Sequence, residues 1–238
     1  MAYDLNTNSS NQPYLVERPL KIHEMEMLAL MKSALGENFV GDIIDVGCAD
    51  GLFCAHLATT IPGARIHGVD SDAVLIGRAQ TRTGFTSDIG DARSFFAPTG
   101  VDALHASGIL SVFHDPYPVL DHWLSLIRPG GWLFLFGAFN SRPIDTQVLT
   151  RNHYCTSDWE GGLTSYYVEH IKDRIFRDCV DVTSHAFRLA IDIPEGDDPM
   201  RTYTHRLQSG EILITNGSNM ISEFFHITAR KRSSGHSV

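Results

Sequence analysis

The chain has 238 residues, 43% hydrophobic and 20% charged, the balance of an ordinary soluble globular protein with enough sequence for one large α/β domain or two small ones. A formal net charge of −9 argues against a nucleic-acid substrate, which needs a basic face. The basic cluster Arg230-Lys231-Arg232 runs straight into Ser233-Ser234-Gly235 and reads as a solvated end rather than a binding stripe.

In chain order, residues 1–22 are Asn-, Ser- and Pro-rich and read as an N-terminal arm. From His23 to Leu35, apolar residues at Met27, Leu28, Met31, Ala34 and Leu35 recur at intervals of three and four, one face of a helix, with Gly36 as its stop. A first strand, Asp42 to Val46, runs into the small-residue turn Gly47-Cys48-Ala49-Asp50-Gly51, and a helix continues from it to about Thr60. Ala64 to Val69 reads as a second strand ending at Asp70, with Ser71-Asp72 capping a helix to Ala79. A third strand ends at Thr86-Ser87-Asp88, and a fourth spans Val101 to Ser107. Pro116 to Ile127 reads as a helix, Arg128-Pro129-Gly130-Gly131 as a turn, and the apolar run Trp132 to Phe136 as a strand buried on both faces. Strands alternating with helices imply βαβ units and a parallel sheet, hence a single-domain α/β fold.

The second part is less regular. Residues 138–162 show little periodicity, Tyr166 to Phe176 is helical, and Val180 to Ile193 reads largely as strand up to the turn Pro194-Glu195-Gly196. Thr202 to Leu207 and Glu211 to Thr215, split by Gln208-Ser209-Gly210, form a β-hairpin pattern, and Glu223 to Ala229 is a last strand. Cys48, Cys54, Cys155 and Cys179 make no C-x-x-C pair and no zinc spacing, so no metal is expected and free thiols fit a reducing compartment. Met1 to Pro13 lacks the apolar core of a signal peptide and no apolar run reaches the ~18 residues of a membrane span, so the expected location is cytoplasmic, away from membranes.

The chemistry gathers at strand ends. A strand, a tight turn and a helix start bring backbone close to a ligand and present unpaired N–H donors. The pattern Asp45-x-Gly47-x-Ala49-x-Gly51 is not the G-x-G-x-x-G of nicotinamide sites, and alone it is equally a strand-to-helix corner. Asp70 lies 19 residues beyond Gly51, at the carboxyl end of the next strand, where a carboxylate can accept both ribose hydroxyls of an adenosine. Gly90-Asp91-Ala92 comes after the third strand, with Asp91 able to accept an adenine amino group, and Ser107-Gly108 ends the fourth. All four places share the edge at which open parallel sheets bind ligands.

Asp45 to Gly51, Val69-Asp70, Gly90-Asp91-Ala92, Asp102 to Ser107 and Leu126-Ile127-Arg128-Pro129-Gly130-Gly131 stand in the order and at the spacing of the class I S-adenosylmethionine-dependent methyltransferases, which the chain resembles over roughly residues 23–137. The departure is Ala49, where the family often has glycine. The resemblance implies a Rossmann-like, seven-stranded, mostly parallel sheet with helices on both faces, closed by the antiparallel pair Val180–Phe187 and Glu223–Ala229. It places a methyltransferase domain over residues 23–232, with lid or substrate insertions at 138–175 and 194–222 and a tail at 233–238. It implies S-adenosyl-L-methionine as cofactor. Asp45, Gly47, Cys48, Ala49 and Gly51 would then line the methionine end, Asp70 with Ser71 the ribose, Asp91 with Ala92 the adenine, and Ser107 the sulfonium.

Such a site has to hold a nucleophile in line with the S–CH₃ bond and help it lose a proton. His114, just past the fourth strand, is the candidate general base, whereas His105 inside that strand reads as a satisfied buried histidine. Trp159, Tyr166, Tyr167 and His170, in an insertion that also carries Asn152, His153, Tyr154 and Glu169, are the candidate substrate contacts. The expected function is methyl transfer to a small-molecule acceptor, at oxygen rather than nitrogen, by a monomer or homodimer. The rivals are methylation of RNA or protein, and a non-catalytic S-adenosylmethionine-binding protein.

Overall fold

The computed structural model describes residues 12–15, 17–97, 100–151, 159–196 and 201–233. Helix α1 (Ile22–Leu35) buries Met27, Leu28 and Met31 on one face and stops where Gly36 takes a φ of 84°. Its start is fixed by Glu24, whose carboxylate accepts the Lys21 N–H at 2.6 Å and pairs with Arg18 at 2.8 Å. Next come β1 (Gly41–Val46), α2 (Leu52–Thr60), β2 (Ala64–Asp70), α3 (Ala73–Ala79) and β3 (Thr86–Ile89). Beyond them lie β4 (Val101–Ser107), α4 (Tyr117–Leu126) and β5 (Ile127–Asn140). Asp72 caps α3 by accepting the N–H groups of Val74 and Leu75.

The remainder comprises β6 (Thr146–Thr150), β7 (Glu160–Tyr167), α5 (Val168–Phe176), β8 (Cys179–Ala186), β9 (Tyr203–Arg206), β10 (Ile212–Thr215) and β11 (Phe224–Lys231). The main sheet runs β3-β2-β1-β4-β5-β11-β8, with β11 antiparallel to both of its neighbours and the other pairings parallel. This is the seven-stranded, Rossmann-like order implied by the resemblance. β1 has β2 on one side and β4 on the other, so the ligand crevice of such a sheet opens at the carboxyl ends of β1 and β4.

Strand alternation sends successive side chains to opposite faces. On β4 and β5, Leu104, Ala106, Leu133 and Leu135 join Leu120, Trp123 and Leu124 of α4 and Ile171 and Ile175 of α5 in one core. Ala103, Phe134 and Phe136 join Met27 and Met31 of α1 and Phe53 and Leu57 of α2 in the other.

Four sequence readings shift. The weakly periodic stretch after β5 contains a hairpin, β6 against β7, and β7 in turn adds to the end of β5 through Phe139↔Tyr166 and Asn140↔Tyr167. Tyr166 and Tyr167 therefore stay extended and α5 starts two residues later than its pattern, with the Tyr166 hydroxyl donating to the Phe113 carbonyl. The Arg128–Gly131 turn is absorbed into β5 as an irregularity in register with β4, where Gly130 takes a φ of 81°. β8 ends at Ala186, short of the Ile193 read from the sequence. Among the described residues no helix is long and apolar enough to cross a membrane.

Two histidines sit between α1 and the sheet. His23 stacks on Phe136 at 4.2 Å, and His226 of β11 is 2% exposed with Nε2 3.1 Å from Glu26. Burial lowers His23 to about 3, with Lys21, His226 and His105 adding to it against Glu24. Burial, with His105 and His185, lowers His226 to about 4; the Glu26 carboxylate, 46% exposed, does not offset it. An unfolded histidine titrates near ~6.5. Below that value the unfolded chain binds the extra protons, so this stability is fully present above pH ~6.5 and is lost as pH falls toward 4 and then 3. Urea unfolding from neutral to acid pH is expected to lose about 1.4 kcal/mol per pH unit for each histidine, and His226→Phe is expected to remove one histidine's share of that slope.

Candidate cofactor and acceptor site

The turn after β1 is tied to the end of β2. The N–H groups of Gly47 and Cys48 both donate to the Val69 carbonyl, at 2.7 and 3.1 Å, and the Ala49 N–H donates to Asp70 Oδ2 at 2.9 Å. Gly51 N–H closes the turn on the Cys48 carbonyl at 2.9 Å. Gly47, Ala49 and Gly51 have φ values of 75°, 49° and 73°, all left-handed. A Cβ on Gly47 would overlap the Ile109 side chain, and one on Gly51 would overlap the Phe85 ring. Ala49 carries its Cβ there at a cost of about 1–2 kcal/mol, which the bond to Asp70 offsets. With these four N–H groups used inside the protein, the turn offers a ligand close approach, carbonyls and neighbouring carboxylates, not the row of free donors that its sequence pattern implies.

Asp70 accepts one N–H on each oxygen, from Ala49 and, at 2.9 Å, from Asp72, and keeps further acceptor capacity on both. Burial raises its pKa above the usual aspartate value despite those bonds. Ser71 beside it is exposed. Asp91 is clasped by Arg93, Nε at 2.9 Å and Nη2 at 2.6 Å, which lowers its pKa. The Ala92 carbonyl takes the Trp123 indole N–H at 2.7 Å, fixing that turn on α4. The register Val46↔Val69, Asp70↔Ile89 and Val46↔Ala106 brings these strand ends level along one edge.

A cavity of about 710 Å³ opens beside the turn. Its near wall is Asp45, Gly47, Cys48, Ala49 and Asp50, continued by Ser107 and Gly108. Its far part is an apolar chamber of His23, Phe136, Phe187, Leu189, Ile191, Ile193, Ile214 and Phe224, with Arg18, Arg201 and Thr202 on its walls. Gly51, Asp70, Ser71, Asp91 and Ala92 lie along the same sheet edge outside this lining.

On the floor, Asp45 is 3% and His105 2% exposed. His105 Nδ1 is 2.7 Å from Asp45 Oδ1, the Cys54 thiol donates to Asp45 Oδ2 at 3.1 Å, and Phe53 stacks on the imidazole at 4.4 Å. His105 Nε2 is buried and has no hydrogen-bond partner, so the histidine read as satisfied is satisfied on one nitrogen only.

The remaining sequence candidates lie elsewhere. His114 is exposed with Nδ1 2.8 Å from Gln147 Oε1 and does not line the cavity. Trp159 is 57% exposed beneath the Arg151 guanidinium at 4.6 Å. Tyr166 is core, with its hydroxyl pKa pushed up by burial, and Tyr167 packs edge-on against His170 at 5.0 Å. Asn152, His153, Tyr154 and Cys155 lie outside the described residues. The chamber residues carried a signal all the same: Phe187, Leu189, Ile191 and Ile193 alternate with Arg188, Ala190 and Asp192, one apolar face of an extended segment. Among the described residues no cluster of His, Cys, Asp and Glu is able to hold a metal, and Cys48, Cys54 and Cys179 are free thiols.

Gly51 has both a left-handed φ and no room for a Cβ. Gly51→Ala is expected to lower the unfolding free energy by roughly 1–3 kcal/mol in urea titration, more than an alanine at an unstrained loop glycine.

A family model described as a methyltransferase domain matches residues 44–133. The trans-aconitate 2-methyltransferase of Enterobacter sp. (strain 638) is 34% identical over 95 residues, 40% of this chain and 38% of that protein. The trans-aconitate 2-methyltransferase of Mycobacterium tuberculosis is 28% identical over 101 residues, 42% of this chain and 38% of that protein. The match thus spans about two fifths of the length of these curated relatives. Among solved structures, the N-methyltransferase NodS from Bradyrhizobium japonicum WM9, in complex with S-adenosyl-L-homocysteine, superposes with a TM-score of 0.57 at 15% identity. It covers 95% of this chain and 98% of its own. The matched domain lies across the very strands whose ends form the tied turn and the Asp70 shelf, and over those residues the chain is similar to methyltransferase domains.

Proposed function

We propose that the chain transfers the methyl group of S-adenosylmethionine to an oxygen atom of a small molecule. One observation carries this reading: a single cavity joins the turn after β1 to an apolar chamber walled by the chain's own segments. Its volume of about 710 Å³ is in the range of small-molecule sites. The donor set suits the cofactor. Its methionine end carries an ammonium and a sulfonium, and the backbone of Gly47, Cys48, Ala49 and Gly51 offers carbonyls there, above the buried Asp45. Asp70, with Ser71 adjacent, has acceptor capacity for two ribose hydroxyls, Asp91 and Ala92 stand at the adenine end, and Ser107 stands beside the methyl donor. The bound cofactor supplies an already activated methyl group. The chain's own task is to orient the acceptor and exclude water, which the apolar chamber does.

The relatives' names favour a small molecule, since trans-aconitate is one. The choice of oxygen rests on the walls. The carboxylates that line the cavity are already engaged, Glu24 by Arg18 at 2.8 Å, Asp45 by His105 at 2.7 Å and Asp50 by Arg82 at 2.7 Å. An ammonium acceptor would find no uncommitted carboxylate among them.

Isothermal titration of the chain with S-adenosylhomocysteine is expected to show binding, weakened about tenfold to a hundredfold in Asp70→Asn, the equivalent of one or two charge-assisted hydrogen bonds. No heat and no thermal shift at saturating cofactor would end the methyltransferase reading. With a labelled methyl donor and a metabolite extract, label is expected in the small-molecule fraction; label in precipitated protein or RNA would turn the reading to a macromolecular acceptor.

A further inference from the structure

We propose that His105, oriented by Asp45, is the general base that takes the proton from the acceptor's hydroxyl, and that this acceptor is a flat, largely apolar phenol. The inference rests on the small-molecule O-methylation read above and gives it a base and an acceptor class.

The first support is the tautomer. Asp45 also receives the Cys54 thiol, so as a carboxylate it is an acceptor and His105 Nδ1 must carry the proton between them. The lone pair is then on Nε2, which is buried, lacks a partner and belongs to a ring that borders the cavity. A buried nitrogen without a partner is costly, and a site that uses it accounts for the cost. Phe53, stacked at 4.4 Å, holds the ring plane.

The second support is the electrostatic setting. The titratable groups around the imidazole are Asp45 on β1, Cys54 on α2, His23 on α1 and His226 on β11. Burial pushes the Cys54 thiol well above its usual range, so it remains a neutral donor. His23 and His226, lowered to about 3 and about 4, are neutral at physiological pH. Asp45 is therefore the one carboxylate among them, and it holds the ring through Nδ1.

The third support is the shape of the chamber. His23 and Phe136 are parallel at 4.2 Å with an interplanar angle of 4°, Phe224 stacks on Phe136 at 5.6 Å and 10°, and Phe187 meets Phe136 edge-on at 89°. Leu189, Ile193 and Ile214 complete an aromatic and aliphatic wall of the kind that takes a planar ring. In the reaction the phenol O–H bond breaks and its proton goes to Nε2. The oxygen forms the new C–O bond, the C–S electron pair stays on sulfur as a neutral thioether leaves, and the imidazolium later returns its proton to water. Asp45 is a positioning residue and does not take the proton.

The test uses the full chain with ¹⁵N-labelled histidine and saturating S-adenosylhomocysteine. Near neutral pH, NMR is expected to show His105 protonated on Nδ1 only, with the Nε2 resonance moving when 4-methylphenol is added. A proton on Nε2, or a resonance that ignores the phenol, would overturn the proposal, and this arm needs no variant to fold. In the second arm a panel of simple phenols is offered with labelled methyl donor. His105→Asn is expected to lower turnover about 10²- to 10⁴-fold while S-adenosylhomocysteine affinity stays within about threefold. The loss is expected to be smaller for 4-nitrophenol, which ionises more readily. Turnover unchanged within about threefold, or cofactor affinity lost in step with turnover, would each defeat the proposal, the second because His105 would be serving the cofactor. A wild type that methylates none of the phenols refutes the acceptor class. A wild type that binds no S-adenosylhomocysteine instead removes the methyltransferase reading beneath it.

Discussion

Three left-handed residues in five, at Gly47, Ala49 and Gly51, are the constraint on which the rest of the site depends. A turn that tight is not stable by itself. It is held because the Val69 carbonyl takes two of its N–H groups and Asp70 takes a third. The ends of β1 and β2 are thereby fixed to each other before any ligand arrives. Asp70 then does two things with one carboxylate: it anchors Ala49 and, in the proposed function, holds the ribose. The two are coupled, because the group that recognises one end of the cofactor also shapes the turn at the other.

The two faces of the sheet divide the work. The face under α4 and α5 is apolar, with Leu104, Leu120, Trp123, Leu124 and Ile171 packed on it. The face under α1 and α2 carries the buried polar groups Glu24, Asp45, His105 and His226. Burying such groups is costly unless they are bonded, and most are, Glu24 to Arg18, Asp45 to His105 and Cys54, and His226 to Glu26. Among the described residues three buried nitrogens are left over, Arg18 Nε beside Glu24, His105 Nε2 and His226 Nδ1. A fold optimised only for stability would repack that face as it packs the other.

The alternation of strands with helices, the glycine turn and the place of Asp70 were legible in the sequence because each depends on local spacing. The hairpin of β6 and β7 was not: its pairing with the end of β5 is a tertiary event with no strong period in residues 138–162. The chamber was half legible. The alternation from Phe187 to Ile193 was visible and read as strand, but the ladder stops at Ala186. Residues 187–193 instead form a wall, secured where the Phe187 N–H donates to the Phe224 carbonyl at 2.8 Å and the Thr204 N–H to the Ile193 carbonyl at 3.0 Å. His105 shows the limit most plainly. Its position in a strand predicts burial, but that Asp45 stands directly opposite is set only by the parallel register of β1 with β4.

The same register bears on the kind of acceptor. A macromolecular substrate would call for an open, basic surface at the carboxyl edge of the sheet. The arginines near that edge are committed within the protein. Arg18 holds Glu24, Arg82 holds Asp50 and Arg93 holds Asp91. Each pairing removes a cation that a phosphate backbone would use, and the Asp50 and Glu24 bonds also set the turn and the start of α1 that wall the cavity. Opening a basic groove here would dismantle the cavity that defines the site, so the physical logic of the edge favours an acceptor small enough to enter it.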